Sequence, residues 1–362
     1  MSLTEPASVQ DHLDRPVDRP PLRQVWPMPE DQRVPTTGPP PARTALTFDS
    51  TVPRQLVHRA SVAEVFLTDA APTTTGAQFE LAAQLPRTHS FFRESGAQLH
   101  DVLMAVETFR QAGVLIAHRW YDVPRGRAFV FHELSLQVQD LAALQIRPQP
   151  SEALMTIDVT PINVVKGLPR GLEFTGTMRI DGSAGCTGFG RVVFLTPTVY
   201  KSLRSRVRDA KLDATAERAV PVDLAPAELV GRIDQSNVVI TRPEIESDLS
   251  CRTMVNVDVT HPVLFDHPLD HVPGMLLLEA ARQTSMAATA ELRGFLPERS
   301  TLTRCHAAMT SFGELDLPLD CTAVLGPTRR DHLDRPTVSL DVSLRQAGLE
   351  VARIETEVTQ WV

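Results

Sequence analysis

The sequence is poor in the residues that mark disulfide-rich and metal-binding proteins. Its 362 residues include only four cysteines: Cys186, Cys251, Cys305 and Cys321. None of them stands at the spacing of a zinc site or of a redox pair. We therefore expect four reduced thiols, no metal ion and no cofactor.

The sequence also lacks long apolar and basic runs. Apolar stretches such as Met275–Leu278 are far too short to cross a bilayer. The N-terminus has no positive region followed by an apolar one, so we expect no secretory signal and a cytoplasmic location. The net charge is -8 and no basic cluster is present, so we expect neither a nucleic-acid nor a membrane partner.

The N-terminal part of the chain is rich in proline instead. Residues 1 to about 50 hold ten prolines, among them Pro20-Pro21 and Pro39-Pro40-Pro41. Proline fixes the backbone and removes a hydrogen-bond donor, which opposes both helix and sheet. We interpret residues 1–54 as a mobile extension.

The rest of the chain contains an internal repeat. Five polar residues recur 172 positions further along, with no gap between them; they are Thr88, His89, Glu107, Arg110 and Gln111, which recur as Thr260, His261, Glu279, Arg282 and Gln283. Upstream, Val57-His58-Arg59 matches Val230-Gly231-Arg232 at an offset of 173. Two long copies indicate a fused dimer, since a solenoid needs three or more short repeats.

Each copy has the pattern of one helix followed by a series of strands. Asp101 can cap a helix that continues to about Ile116, and a second helix is predicted from Pro273-Gly274 to about Leu292. Alternating segments after each helix predict antiparallel strands. The pattern predicts an α+β double hotdog, in which two curved sheets, each wrapped around one helix, join edge to edge. We place the repeats at 55–196 and 229–362, with a linker at 197–228.

The predicted helices carry a polar trio in otherwise apolar sequence. Glu279 follows an entirely apolar run, and Arg282 and Gln283 share its face at i+3 and i+4. Glu107, Arg110 and Gln111 repeat the trio. The simplest interpretation is an ion pair on a solvated stripe. Since a hotdog helix has little solvated surface, we favour a buried carboxylate whose pKa is open to tuning.

The segment before the second helix is a further candidate for chemistry. Asp266, His267, Asp270 and His271 lie within six residues, which suggests a metal site. Pro268 prevents the two histidines from sharing one helix face, and no third ligand cluster is evident, so we expect no metal. We expect the loop to bring polar groups to a substrate pocket, where the amides near Gly274 can act as an oxyanion hole. The matching loop of the first copy lacks most of these groups, so we expect two unequal pockets.

His89 and His261 occupy matching places at the ends of predicted strands. A single histidine there is commonly a hydrogen-bonded structural residue. Its recurrence makes a functional role equally plausible.

Together these motifs resemble one family. The run from Asp266 to Gln283 is similar to the signature of the A-factor biosynthesis (AfsA-type) proteins of actinobacteria. The first copy resembles that family's first hotdog repeat in Val57-His58-Arg59, in His89–Phe92, in Glu107–Gly113 and in Ala117-His118. The segment from Pro273-Gly274 to Gln283 is also similar to the helix entry of hotdog acyl-carrier-protein dehydratases.

The resemblance implies γ-butyrolactone signal synthesis. Such enzymes join a β-ketoacyl group, carried as a thioester on acyl carrier protein, to a hydroxyl of dihydroxyacetone phosphate. On this basis Glu107 or Glu279 is the expected base, in concert with His89, His261, His267 or His271. Gly274 is the expected oxyanion donor. Arg110 or Arg282 is expected to orient the carboxylate or to bind phosphate, beside Gln111 and Gln283.

Two alternatives remain open at this point. The same pocket could belong to a dehydratase or thioesterase. The chain could also be a non-catalytic module that binds an acyl group or a carrier protein. The sequence leaves open whether the protein is a monomer with a pseudo-dimeric fold or a homodimer.

Overall fold

The computed structural model describes residues 45–94, 98–217 and 223–361. From Ala45 onward the chain forms one compact unit. Most of the predicted extension 1–54 therefore lies outside the described residues. Residues 45–54 belong to the compact unit, where Val52 is buried and its amide donates a hydrogen bond to the carbonyl of Leu67.

The two predicted central helices are present. They are α1, Val102–Trp120, and α3, Gly274–Arg293, and a third helix, α2, spans Pro197–Ala214. The Asp101 side chain caps α1 by accepting a hydrogen bond from the Leu103 amide. In α1 every side chain from residue 102 to 118 except Arg110 is buried. Burial on all faces is what a helix enclosed by a sheet requires.

The described strands form one antiparallel sheet. In the first repeat they are β1 Leu67–Pro72, β2 Gln78–Leu85, β3 Ala128–Val138, β4 Ser151–Ile162, β5 Gly171–Ile180 and β6 Ser183–Leu195. In the second repeat they are β7 Glu244–Ser247, β8 Ser250–Met254, β9 Ser300–Met309, β10 Asp320–Arg330, β11 Pro336–Gln346 and β12 Leu349–Gln360.

The order of the strands shows how the repeats join. It is β1-β2-β4-β5-β6-β3-β9-β12-β11-β10-β8-β7, so the second half mirrors the first. The seam is the antiparallel pair β3 and β9, where Glu133 lies opposite Ala308 and Gln137 opposite Arg304. The two helices contact each other under this common sheet. The predicted double hotdog, with its two units paired edge to edge, is confirmed.

The predicted linker contains a helix that packs on the second repeat. Arg204 of α2 is buried, and its Nη1 and Nη2 donate to the two carboxylate oxygens of Glu314 at 2.6 and 3.0 Å. Lys211 is fully buried, and its Nζ donates to Oε1 of Gln346 at 2.9 Å. The charged sequence that we interpreted as a linker therefore provides the buried contacts of a docked helix. We keep 55–196 and 229–362 as the proposed bounds of the repeats.

Two segments whose apolar residues predict strands, Val62–Leu67 and Asn237–Ile240, begin within a 3₁₀ turn instead. Val62–Glu64 and Gln235–Asn237 are single 3₁₀ turns. In each case the preceding residue, Ser61 or Asp234, accepts a hydrogen bond from the amide two positions on. This local capping competes with strand pairing at both matching sites. All four cysteines are buried and free.

Candidate active site

The carboxylate of Glu107 is the centre of a buried cluster in the first repeat. Glu107 is fully buried. Its Oε1 accepts hydrogen bonds from Nε of Arg59 at 2.9 Å, Nη2 of Arg110 at 2.8 Å and Nε2 of Gln111 at 2.8 Å. Its Oε2 accepts from Nε of Arg110 at 2.7 Å. The helical trio predicted from the sequence is therefore a single hydrogen-bonded group.

The second repeat contains the same cluster around Glu279. The Glu279 side chain is fully buried. Nε of Arg232 lies 3.0 Å from its Oε1, and Nε of Arg282 lies 2.8 Å from its Oε2. Gln283 donates to the same carboxylate. The two clusters are related by the internal repeat, residue for residue.

Each cluster also includes an arginine that the sequence analysis did not select. Arg59 and Arg232 come from the loops that precede the first strand of each repeat, and so they lie far in sequence from the helical trio. The matching triplets Val57-His58-Arg59 and Val230-Gly231-Arg232 carried the signal. Only the fold reveals that both arginines reach the helix glutamates.

The glutamines tie each helix to this loop. Oε1 of Gln111 accepts a hydrogen bond from the amide of Phe66 at 3.0 Å, and its Nε2 donates to the carbonyl of Glu64 at 2.7 Å. Gln283 likewise donates to the carbonyl of Asn237 at 2.7 Å. Satisfying these buried backbone groups is a structural task. Both glutamines therefore hold the arginine loops against the helices.

The charge state of both glutamates follows from these contacts. Burial alone would raise the pKa of each carboxyl group, but the two neighbouring arginines lower the pKa of Glu107 and of Glu279 to about 2. Both oxygens of each carboxylate already accept hydrogen bonds from guanidinium groups. The hypothesis that one of these glutamates is the base stays a prediction, and the contacts favour a role in holding the guanidinium groups.

His89 and His261 form a second matched pair of structural contacts. Nδ1 of His89 accepts hydrogen bonds from the amides of Phe91 and Phe92, and Nδ1 of His261 accepts from those of Val263 and Leu264. The proton of each neutral ring must then sit on Nε2. Nε2 of His261 lies 3.1 Å from Oδ1 of Asn237, and Nε2 of His89 lies 3.3 Å from Oε1 of Glu64. Neither ring keeps a free nitrogen that could take a substrate proton.

The repeats are clamped together near these histidines. Asp266 accepts hydrogen bonds from the amides of Ala60 and Ser61, at 2.6 and 3.0 Å. Glu94, which matches Asp266 in the first repeat, accepts from the amides of Ile233 and Asp234 at 2.8 and 3.1 Å. Each repeat thus fixes the other's arginine loop. This contact places His267, the neighbour of Asp266, at the edge of the first repeat.

The segment before α3 holds the remaining predicted residues. Nδ1 of His271 lies 2.7 Å from Oδ1 of Asp270, which also accepts a hydrogen bond from the Tyr200 hydroxyl at 2.6 Å. Gly274 is exposed at the first position of α3, and no side chain caps this helix start. A Cβ atom at Gly274 would meet only the Met309 side chain, at 3.7 Å. The backbone near Gly274 is thus accessible to a ligand.

His58 and His118 form a histidine pair that the sequence analysis did not select. Their Nε2 atoms lie 2.8 Å apart, and Nδ1 of His118 lies 2.7 Å from the carbonyl oxygen of Val123. The Phe129 ring contacts both imidazoles, with ring centroids 4.6 and 4.9 Å away. Both histidines belong to motifs that resemble the A-factor family. Their sequence separation of 60 residues concealed the pair.

Two depressions in the described residues bear on substrate access. One, of about 480 Å³, is lined by strands on both sides of the seam and contains none of the predicted site residues. The other, of about 10 Å³, lies beside His261 and is bordered by Val239, Leu264 and Leu276. A space of that size holds about one water molecule. An acyl chain can enter there only if these apolar side chains move.

Two further observations concern metals and membranes. Within residues 45–94, 98–217 and 223–361, no three histidine, cysteine or carboxylate side chains are placed to hold a metal ion. In the same part of the chain, no helix is both long enough and apolar enough to span a membrane.

Comparison with known proteins places both repeats in one family. The model of the A-factor biosynthesis hotdog domain matches residues 42–188 and 213–361. A 2-oxo-3-(phosphooxy)propyl 3-oxoalkanoate synthase of Streptomyces virginiae is 38% identical over 74% of this chain and 85% of its own length. A synthase of the same name from Streptomyces coelicolor is 34% identical over 66% of this chain and 72% of its own.

Among solved structures, a 12:0-ACP thioesterase from Umbellularia californica aligns with 79% of this chain and 95% of its own, at 11% identity and a TM-score of 0.42. A similarity at this level has no bearing on activity.

Proposed function

Because the chain belongs to the A-factor biosynthesis hotdog family, we propose that it is an acyltransferase that joins a 3-oxoacyl group to a hydroxyl of dihydroxyacetone phosphate. The product is a 2-oxo-3-(phosphooxy)propyl 3-oxoalkanoate, an intermediate in the formation of a γ-butyrolactone or butenolide signal. The observation that carries this proposal is the 38% identity to a synthase of that name across 85% of the relative's length.

The site supports the proposal through its cationic groups. Arg110 is the most accessible of the four clustered arginines, with 15% of its side chain exposed against 4 to 9% for the others. Arg110 and His267 both face His58 closely enough to affect its pKa. Guanidinium groups suit phosphate because they donate paired hydrogen bonds in a planar fork. We assign the triose phosphate to this end of the first repeat.

The acyl donor is the second part of the proposal. We infer a thioester of acyl carrier protein, whose carbonyl oxygen the free amides at the start of α3 polarise, Gly274 foremost. In this scheme Glu107 and Glu279 hold Arg110 and Arg282 in place, and Gln111 and Gln283 fix the loops behind them. The chain supplies both halves of a hotdog dimer itself, so a monomer is sufficient. We infer a cytoplasmic location, because both proposed substrates are cytoplasmic metabolites.

The first experiment is mass spectrometry of the purified protein with a 3-oxoacyl thioester, with and without dihydroxyacetone phosphate. We expect a phosphorylated ester that forms only with the triose. Free acid or an enoyl thioester formed without the triose would instead identify a thioesterase or a dehydratase. Absence of any turnover, with a substrate shown to be competent in a known acyltransferase, would favour a binding module.

A further inference from the structure

The His58–His118 pair has a proton arrangement that its contacts determine. A backbone carbonyl only accepts hydrogen bonds, so Nδ1 of His118 carries a proton toward Val123. In the neutral ring, Nε2 of His118 is then the acceptor, and Nε2 of His58 is the donor across their 2.8 Å separation. The lone pair of neutral His58 is therefore on Nδ1. This nitrogen makes no hydrogen bond within the part of the chain that the structure describes, and the ring is only partly buried.

The backbone conformation at His58 suggests a functional role for its side chain. Its φ is 55°, in the left-handed region that favours glycine. The matching residue of the second repeat is Gly231, whose φ is 65°. Both repeats thus require the same turn, and only the first keeps a side chain there. An observed backbone outlier of this kind is a reason to look for function.

The two repeats differ at both members of the pair. His58 corresponds to Gly231, and His118 corresponds to Ala290. The buried glutamate clusters are the same in both repeats, so they cannot distinguish the two pockets. The histidine pair can, because in the second repeat no imidazole stands at either matching position.

The groups around the pair are positively charged or can become so. His58 faces Arg110 and His118, both on α1, and it also faces His267 of the opposite repeat. His118 faces Arg125. Burial, as the largest cause, and then these neighbours lower the pKa of His58 to about 3. The ring is therefore uncharged at neutral pH. A bound phosphate dianion would oppose the effect of these positive neighbours and so raise the pKa of His58. Burial, as the largest cause, also lowers the pKa of His118.

We propose that the His58–His118 pair is the acid–base group of the transfer reaction and that only the pocket beside this pair carries out the chemistry. The inference rests on the acyltransferase function proposed above. Nδ1 of His58 accepts the proton of the triose phosphate hydroxyl while the hydroxyl oxygen bonds to the thioester carbonyl carbon. The intermediate then breaks its C–S bond, and the departing thiolate takes the proton back from His58. Ester and free thiol are the only products.

The second repeat provides the substitutions for the test. His58→Gly and His118→Ala introduce the residues found at the matching positions 231 and 290, so the same backbone accommodates both. His306→Gln is the matched control, since His306 pairs with Glu133 at the seam and faces neither member of the pair. The reaction uses the full-length protein, a 3-oxoacyl thioester and dihydroxyacetone phosphate. Ester is quantified by mass spectrometry, and triose binding is followed by phosphorus NMR.

We expect kcat for ester formation to fall about 10² to 10⁴-fold in both variants, the usual contribution of general acid–base catalysis. Triose binding should persist, and His306→Gln should keep the wild-type rate. Added imidazole should restore part of the rate of His58→Gly, which a purely structural loss would not allow. If His58→Gly does not fold, His58→Asn serves instead, because asparagine tolerates the left-handed backbone.

The opposite results are equally specific. A rate within about threefold of wild type in His58→Gly or His118→Ala would overturn the inference, because so small a loss lies far below the contribution expected of an acid–base group. Loss of activity in His271→Ala with full activity in His58→Gly would assign the base to the second repeat and also overturn it. If the wild-type protein forms no ester from the triose, the proposed function itself fails. If wild type and His58→Gly form ester at the same rate, only this inference fails.

Discussion

At the scale of single residues, the buried glutamates are best understood as partners of arginine. Each carboxylate accepts hydrogen bonds from two guanidinium groups and one amide, and neither has exposed surface. Removing one member of a buried ion pair leaves the other charge uncompensated, which costs more than the pair itself contributes. The glutamates are therefore expected to control stability and the position of the arginines together.

The first prediction concerns Glu279→Gln and Glu107→Gln. We expect Glu279→Gln to lower the free energy of unfolding by about 3 to 5 kcal/mol, because it leaves Arg232 and Arg282 buried without a carboxylate. Glu107→Gln should cost less, since Arg110 is the most accessible of the four arginines and can reach water. Urea unfolding at pH 7 measures both values.

The activity of the same two variants tests the role of the glutamates. If either glutamate is the general base, its variant should lose kcat even where the protein remains folded. Full activity per folded molecule in both variants would eliminate the glutamates as the base. An equal loss of unfolding free energy in both variants would contradict the prediction that Glu279→Gln is the more destabilising substitution.

The second prediction is a loss of stability in acid that begins near pH 6.5. Burial, as the largest cause, lowers the pKa of His58 from 6.5 to about 3 and of His100 to about 4. Between pH 6.5 and about 4 the unfolded chain binds protons at both histidines, whereas the folded chain does not. The free energy of unfolding therefore falls as the pH drops from 6.5. Below about 4.5 the two glutamates add to the loss, because the pKa of each is about 2 in the folded state.

Urea midpoints measured between pH 7 and 3.5 check this profile. We expect a gradual decline below pH 6.5 that steepens below about 4.5. The decline between pH 6.5 and 4.5 should be shallower in His58→Gly, because one of the titrating rings is then absent. A flat profile down to pH 4.5 would contradict the prediction.

At the scale of elements, α2 packs on the second repeat and is not a flexible connection. Arg204 lies at its centre and contacts Glu314 with both terminal nitrogens, and its guanidinium lies 5.0 Å from the centre of the Phe312 ring. The Tyr200 hydroxyl links the same helix to Asp270, next to the predicted site residue His271. Loss of this docking should therefore affect the entrance to α3 as well.

The third prediction compares two arginines of this helix. Arg204→Ala should lower the free energy of unfolding by about 2 kcal/mol, less than for a fully orphaned buried charge because Glu314 retains Arg208. It should also increase the rate of proteolysis within 197–217. Arg206→Ala, at an exposed position of the same helix, should change stability by no more than about 0.5 kcal/mol. Equal effects of the two substitutions would contradict a docked helix.

At the scale of the whole molecule, the two repeats should unfold together. The sheet continues through β3 and β9, and the clamps of Asp266 and Glu94 join the loops of opposite repeats. Chains of this length commonly unfold in several steps, so a single transition is not the default expectation. Its presence would identify the double hotdog as one cooperative unit.

The fourth prediction tests this unity with a glycine in the first repeat. A Cβ atom at Gly113 would lie 2.6 Å from the buried Phe174 ring, so Gly113→Ala should cost about 1 to 3 kcal/mol. We expect differential scanning calorimetry to give one peak, shifted as a whole to lower temperature. Gly126→Ala, where no atom lies within 4 Å, is the control. A peak that splits in Gly113→Ala would mean that the repeats unfold independently.

Much of the fold could be predicted from the sequence because the two repeats can be compared with each other. The helix trios, the central helices and the double hotdog were predicted from matched polar residues and apolar periodicity, and the fold and the family are confirmed. Strands were predicted around Val62–Leu67 and Asn237–Ile240 from their apolar residues, but each segment begins within a 3₁₀ turn, because local capping is a weaker signal in the sequence. The helix in 197–214 was missed because its buried residues are charged.

The sequence by itself determined the number of repeats, the class of fold and the pairing of residues that lie one helical turn apart, since these depend on local spacing. Only the tertiary structure decided which distant residues meet. Arg59 reaches Glu107, Asp266 clamps the opposite repeat, and His58 pairs with His118. Such contacts depend on how a curved sheet brings loops over a buried helix, and no spacing along the chain encodes that distance.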